Sequence, residues 1–398
     1  MTGTKLKDSR YVVVFGACLT QFTIIGLLFS YGLFFKVFED EFGWSRTMLS
    51  SCSALAFLTM GFLAMGAGRL SDRFGPRRVL AITGVIFGIG FALISQVSQP
   101  WHLFVIFGVF IGLGLSTHDV VTLSTIGRWF EARRGIMTGV VKVGTAVGQM
   151  MVPPIAALLI LSFGWRVAVI VLGLCAVAFL LIAAFSMKNP PRIADQVADI
   201  ATSGQTFVQA RTTRVFWTIC LIQLLFFPSV STVPLHLAVH GMDLGMTPAK
   251  AATLLSVIGG ASIAGRLSIG ILVDRIGGKS AYAVCFVFLI ACLAAMMNIT
   301  GHLPLFVVVA FYGFGHGGFF TVVAPTIAEY FGMRAHGAIF GTVLFFGTIG
   351  GAIAPVLAGL TFDTTGSYFY VFLGLLILAV LGLALVLSLP PPPRAVRA

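Results

Sequence analysis

Twelve apolar stretches long enough to cross a bilayer, and a motif that returns at half the chain's length, predict the fold class. It is an all-α membrane protein with twelve transmembrane helices in two pseudo-symmetric six-helix bundles. Composition agrees: of 398 residues, 58% are hydrophobic and only 10% charged, against about 25% charged in a soluble domain. The 46 Gly and 37 Phe suit close helix packing and lipid-facing surface. This balance excludes a secreted disulfide scaffold and a disordered chain. The six Cys all fall inside apolar stretches, where they pack as small hydrophobes, and no Cys-x-x-Cys or His/Cys cluster has metal-ligand spacing.

A spanning helix needs about 20 mainly apolar residues. The stretches are 11–35, 47–68, 79–98, 103–127, 135–161, 166–187, 214–240, 249–273, 280–300, 303–328, 335–362 and 367–389, separated by charge, Pro or turn residues. The first follows Lys5, Lys7 and Arg10; at 25 uncharged residues it is too long for a signal-peptide core and is read as a helix. The second runs out at Arg69 and Asp72, and the third starts behind Pro76-Arg77-Arg78. Arg128 closes the fourth, Arg133 and Arg134 precede the fifth, and Arg166 opens the sixth. Arg211 and Arg214 introduce the seventh, Asp274 and Arg275 close the eighth, Lys279 precedes the ninth and Arg334 the eleventh. Trp44, Trp101, Trp129, Trp165 and Trp217 all lie near span ends, where amphipathic rings favour the interface.

Placing the N-terminus in the cytoplasm puts nineteen Lys and Arg on the inner side and four (Lys36, Arg46, Arg166, Lys250) on the outer side, with Lys142 and Arg266 inside spans. Cytoplasmic loops carry the excess of basic residues, so both termini are expected in the cytoplasm of a cell (inner) membrane protein. The net charge of +12 is then a topology signal, not a nucleic-acid footprint.

The longest internal polar connection, 188–213, contains Asn189-Pro190-Pro191, Asp195, Asp199 and Arg211 and reads as a cytoplasmic linker between bundles 1–187 and 214–398. Gly68-Arg-Leu-Ser-Asp72-Arg73-Phe-Gly75 is echoed by Gly270-Ile-Leu-Val-Asp274-Arg275-Ile-Gly277, 202 residues on. Trp129-Phe130 is echoed by Tyr330-Phe331, and Gly144-Thr145 with Pro153 by Gly347-Thr348 with Pro355. An even number of spans per half gives the repeats one orientation, related by an axis along the membrane normal.

The run Gly68 to Gly75, continued by Pro76-Arg77-Arg78, resembles the signature loop between helices 2 and 3 of the major facilitator superfamily. Twelve spans, a 6+6 duplication and a central linker are similar to that family over essentially the whole chain. A narrower resemblance rests on Tyr31-Gly-Leu-Phe-Phe-Lys36-Val-Phe-Glu-Asp-Glu41-Phe-Gly-Trp44-Ser-Arg46, and on an intramembrane Arg in helix 8, here Arg266. These resemble the monocarboxylate porters and neighbouring bacterial organic-anion carriers. Better-known members of that branch carry an Asp one turn before the Arg; Ser262 stands here. The resemblance implies a secondary active transporter of a small organic anion such as lactate or pyruvate, proton-coupled, working by alternating access as a monomer, with no cofactor. Its partners are the anion, a proton or counter-substrate, and the bilayer. Dicarboxylate exchange and uptake of an aromatic or vitamin-type solute such as riboflavin stay open.

An ionisable residue inside a span costs ~2.5–3.5 kcal/mol on insertion scales and is a functional hypothesis by default. Arg266 lies eight residues before Asp274, roughly 12 Å deep at 1.5 Å per residue. It is either a bidentate clamp for a substrate carboxylate or an Arg satisfied by carbonyls. Asp119, nine residues before Arg128, is at similar depth. It is expected to carry the coupling proton and to pair with Arg266 if both face the cavity, or else to be purely structural. His118 adjoins it, and at most one of the two need face the cavity. His316, in Gly313-Phe-Gly315-His-Gly317-Gly318, is either a packed histidine or a substrate or proton contact. Lys142, two turns into helix 5, is expected to snorkel to the cytoplasm. Gln21, Tyr31 and Gln223 are polar candidates for orienting the ligand, with helix–helix hydrogen bonding the equal alternative. Gly144, Gly148, Gly347, Gly350 and Gly351 are expected to allow close helix packing. His236 and His240 share a helix face and read as interfacial or gating, not metal-binding.

Asp72, Arg73, Arg77, Arg78, Asp274 and Arg275 can form interhelix ion pairs that lock one gate conformation, or simply anchor the inner face. Gly278-Lys279-Ser280 lacks the first Gly of a phosphate loop, since Val273 stands there. The Gly313-x-Gly315-x-x-Gly318 spelling lacks a preceding strand. No nucleophile–base pair or catalytic carboxylate pair supports the remaining alternative, a membrane-embedded enzyme.

Overall fold

The structure is a computed structural model that describes residues 2–44, 46–189, 204–246 and 248–392. Among them, twelve helices are long and apolar enough to cross a membrane, so the chain is a multi-pass membrane protein. They are α1 (Thr2–Phe42), α2 (Arg46–Phe74), α3 (Pro76–Leu93), α4 (Pro100–Trp129), α5 (Arg134–Phe163), α6 (Trp165–Ser186), α7 (Arg214–Asp243), α8 (Pro248–Ile276), α9 (Gly278–Met296), α10 (His302–Phe331), α11 (His336–Thr365) and α12 (Tyr368–Ser388). Each contains most of one expected stretch. Several run on past it: α1 continues to Phe42, because an apolar count stops at the first charge while helical hydrogen bonding does not.

Local chemistry sets the ends. Pro76 and Pro100 stand in the first turn of their helices, where a missing N–H costs nothing. Gly75 and Gly277, twins across the repeat, take φ of 85° and 81° before α3 and α9; a side chain there would be strained. Pro153 and Pro154 in α5, Pro228 and Pro234 in α7, Pro325 in α10 and Pro355 in α11 sit inside helices, as buried membrane helices tolerate. A π turn at Ile106–Ile111 offsets the register of α4 just ahead of Asp119.

The chain divides into two compact units. Unit 1 is Met1–Glu131, Val140–Gly204 and Met333–Phe345; unit 2 is Ala132–Gly139, Gln205–Gly332 and Phe346–Ala398. Within unit 1, α3 packs on α6, α2 on α4, and α1 on both α4 and α6. A Cβ added at Gly144 would lie 2.4 Å from the Cys18 carbonyl oxygen, and one at Gly148 2.3 Å from that of Phe22, so α5 meets α1 backbone to backbone. Unit 2 repeats the device: a Cβ at Gly350 of α11 would lie 2.4 Å from the Leu224 carbonyl of α7. Such contacts hold membrane helices together by close packing, since lipid supplies no hydrophobic drive between them. Most of the expected linker, including Pro190-Pro191, Asp195 and Asp199, lies outside the described residues beyond Asn189. A single-turn helix, Phe207–Arg211, is capped reciprocally by Thr206 and Gln209.

Candidate functional site

In unit 1, α1, α4 and α5 bring polar groups together where an apolar span would otherwise bury them alone. Gln21 is fully buried, and Asp119, His118 and Lys142 are 6%, 4% and 3% exposed. The Gln21 amide donates to Asp119 Oδ1 at 2.8 Å, to the His118 carbonyl at 3.1 Å and to Thr122 Oγ1 at 3.2 Å. Thr145 of α5 donates to Gln21 Oε1 at 2.8 Å, which fixes the amide's orientation. Lys142 Nζ forms a hydrogen-bonded ion pair with Asp119 Oδ1. A carboxylate buried in hydrocarbon needs such a partner, because an isolated charge there carries its full desolvation cost.

Two expectations change here. Lys142 does not snorkel: its face of α5 turns toward α1 and α4, and an internal carboxylate takes the place of water around the ammonium. Nor do His118 and Asp119 point apart. His118 Nε2 lies 3.6 Å from Asp119 Oδ1, while Nδ1 is 2.5 Å from the Leu115 carbonyl. A carbonyl only accepts, so Nδ1 carries the proton and Nε2 faces the carboxylate. The cation against Asp119 is thus Lys142, where the sequence suggested Arg266. Tyr31 belongs elsewhere: its hydroxyl donates to the Leu49 carbonyl at 3.3 Å and its ring lies 4.2 Å from that of Phe107, in an apolar cluster.

In unit 2, Arg266 of α8 is 2% exposed. Its Nη1 donates to Ser262 Oγ at 2.7 Å, and Ser262 donates to the Gly259 carbonyl at 2.7 Å. The guanidinium carbon is 5.9 Å from the centre of the Phe320 ring, within cation–π range. The His316 ring lies 5.2 Å from Phe320 and 5.7 Å from Tyr312, whose hydroxyl is committed to the Ser229 carbonyl at 2.8 Å. Gln223 is 1% exposed. Gln223 Oε1 and His316 Nδ1 are buried without a hydrogen-bond partner among the described residues, a costly condition in a closed core. Phe226 stacks on Phe319 at 3.7 Å and packs edge-on to Phe320, so the ring beside Arg266 belongs to a cluster of aromatic side chains. Phe319 and Phe320 escaped the sequence reading, since Phe in a membrane helix carries no signal of which way it faces.

The loop acids sit at helix starts. Asp72 pairs with Arg128 of α4 and accepts the backbone N–H of Ala338 in the first turn of α11. Asp274 accepts the N–H groups of Gly135 and Ile136, in the first turn of α5, at 2.7 and 2.9 Å. Negative charge is favourable at helix N-termini, so the twins cap twin helices, each contact lying within one unit. Arg73 stacks on Phe74 at 5.2 Å and Arg77 on Phe185 at 4.3 Å; Arg78 and Arg275 are exposed. His236 bonds the Tyr368 hydroxyl at 3.2 Å, and His240 packs edge-on to Tyr368 and Phe372.

Outside the spans, Glu41 closes the end of α1 onto α6. It accepts Trp165 Nε1–H at 2.5 Å and pairs with Arg166 at 2.8 Å. The indole hydrogen bond is the largest influence on its carboxyl; burial pushes the other way, and the Arg166 hydrogen bond and charge then help hold it below the ordinary glutamate value.

The family model described as Major Facilitator Superfamily matches residues 14–301 and 243–398. The chain is 26% identical over 388 residues to Monocarboxylate transporter 13 of Rattus norvegicus, covering 96% of this chain and 89% of that protein. It is 27% identical over 383 residues to the MFS transporter asaE of Aspergillus flavus, covering 93% and 84%. Among solved structures it is similar to the proton:xylose symporter XylE, with a TM-score of 0.79 at 14% identity, over 98% of this chain and 97% of that one. A likeness at that identity speaks for the fold alone.

Proposed function

Because the chain belongs to the major facilitator superfamily, whose members move small molecules across membranes, we propose that it is a proton-coupled secondary carrier of a small monocarboxylate such as lactate or pyruvate. The observation that carries the reading is Arg266, a guanidinium 2% exposed in an apolar helix, where a cation is retained at a cost of several kcal/mol. Its planar fork suits a carboxylate, and Gln223 and His316 offer the buried polar atoms that orient the solute. Relatives named monocarboxylate transporters support the substrate class. Asp119 carries the coupling proton, with His118 and Gln21 around it.

Transport proceeds by alternating access: the six-helix halves, 1–187 and 214–398 joined through 188–213, rock about the substrate. Helix caps at Asp72 and Asp274, with the neighbouring Arg73, Arg77, Arg78 and Arg275, hold one conformation and release in the other. The nineteen-to-four distribution of Lys and Arg supports placing both termini in the cytoplasm of a cell (inner) membrane, and the carrier works as a monomer. The test is reconstitution into liposomes. An inward proton gradient drives saturable uptake of labelled pyruvate or lactate, and preloaded vesicles show counterflow. Absence of both for each acid overturns the reading.

The ring cluster of Phe226, Phe319, Phe320 and His316, whose Phe320 lies beside Arg266, favours a second reading, an aromatic monocarboxylate. Phenylpyruvate competing better than pyruvate in the same vesicles would establish it.

A further inference from the structure

We propose that Lys142 is an anion-binding group in its own right, a role that rests on the chain being a proton-coupled anion carrier. Its counter-ion alternates between Asp119 and the carboxylate of the transported solute. The Lys142 ammonium is 3% exposed and pairs with Asp119 Oδ1. Buried at that depth it must keep an anion beside it. The other donor to the same oxygen stands independently of the lysine: Gln21 Nε2 lies at 2.8 Å and is held from behind by Thr145.

The charge balance of this cluster fixes the coupling. With Asp119 ionised and Lys142 protonated, the cluster is neutral. A proton alone would leave it at +1, and a bound carboxylate alone at −1, each in surroundings that penalise net charge. Proton and anion together restore zero. At a stage of transport distinct from its stay on Arg266, the solute's carboxylate takes Asp119's place on the Lys142 ammonium, and Asp119 receives a proton from the aqueous side the solute enters from. No bond of the solute breaks, and the protonated carboxyl keeps an oxygen that accepts from Gln21. One proton therefore travels with one carboxylate. The charged or titratable groups facing Asp119 are Lys142 from α5 and His118 from its own helix. From α1 comes the uncharged Gln21; the Cys18 thiol of the same helix is directed to the Val140 carbonyl of α5, to which it donates at 3.5 Å. His118 Nε2, turned toward Oδ1 at 3.6 Å, is positioned to pass the proton on. Arg266 lies in the other unit, and its removal tests the carrier reading separately.

The experiment uses the full chain in detergent, in weakly buffered solution, with pyruvate as probe. Calorimetry reads the affinity and a pH indicator reads the protons taken up. The unmodified protein is expected to take up close to one proton per pyruvate, its affinity rising up to tenfold per unit fall in pH. Lys142→Gln is expected to weaken pyruvate at least tenfold and abolish proton uptake. Asp119→Asn is expected to bind pyruvate with no proton uptake and no pH dependence, and Lys142→Arg to keep proton-linked binding. Should Lys142→Gln fail to fold, the Asp119→Asn/Lys142→Gln double variant leaves no lone buried charge and is expected to bind at least tenfold more weakly than the unmodified protein. Proton-linked binding of unmodified strength in Lys142→Gln, unmodified affinity in the double variant, or a proton still taken up by Asp119→Asn, overturns the proposal. No pyruvate binding by the unmodified protein overturns the monocarboxylate reading beneath it.

Discussion

Arg266 Nη1 donates at 2.7 Å to the hydroxyl of Ser262, one turn earlier on the same helix. The serine orients the guanidinium and adds no negative charge, so the fork keeps its full attraction for an incoming carboxylate. Charge-assisted hydrogen bonds contribute roughly 1.5–3 kcal/mol. At about 1.4 kcal/mol per tenfold, Arg266→Gln should therefore weaken pyruvate binding about 10- to 100-fold. Ser262→Asp, which sets a carboxylate against the guanidinium, should weaken it in the same direction. Calorimetric titration of both variants checks this; undiminished binding by Arg266→Gln removes Arg266 from the site.

Gly144 meets the Cys18 carbonyl with no room for a Cβ. Because the obstacle is backbone, it cannot rotate away. Gly144→Leu should separate α1 from α5, disturb the Thr145–Gln21 hydrogen bond next along the helix, and destabilise unit 1 by about 1–3 kcal/mol, the usual range for overpacking. Thermal unfolding in detergent should show a lower midpoint, whereas Gly66→Leu, with open space around it, should leave it nearly unchanged.

Asp72 joins Arg128 to the first turn of α11. Asp72→Asn removes the ion pair and weakens the cap, and should shift the balance between inward- and outward-open states. Labelling of single cysteines introduced on the cytoplasmic side reads that balance, and labelling identical to the parent protein rejects the gate.

Glu41 has its carboxyl held low by Trp165 and Arg166. A group whose folded pKa is depressed contributes stability that is present above its unfolded value and lost as pH falls through the folded one. The strap between α1 and α6 should therefore be intact at neutral pH and weaken below the ordinary value of 4.5. Melting curves across that range should flatten in Glu41→Gln, and an unchanged acid dependence would show that other carboxylates set it.

Span number, repeat and the two deep charges were legible in the sequence because each is a matter of composition along one dimension. Twelve apolar runs need no knowledge of facing. The echo at Gly75 and Gly277 rests on a backbone angle that side chains rarely adopt. What was illegible is direction around each helix axis. In helices apolar on nearly every side, no stripe marks the inward face, so Lys142 read as a snorkelling residue, and Tyr31 as either a ligand contact or the helix–helix hydrogen bond it makes with Leu49. Its depth alone suggested Arg266, at a similar depth, as the partner of Asp119. Lys142 was nevertheless one of only two basic residues away from the span ends, and that count was the available signal.

The paired turns at Gly75 and Gly277 bear on mutational tolerance. Duplication normally lends a spare copy, but each half must close its own turn, so neither glycine can stand in for the other. A saturation scan of the chain should show intolerance that repeats after 202 residues at these positions, while the lipid-facing residues between them accept almost any apolar side chain.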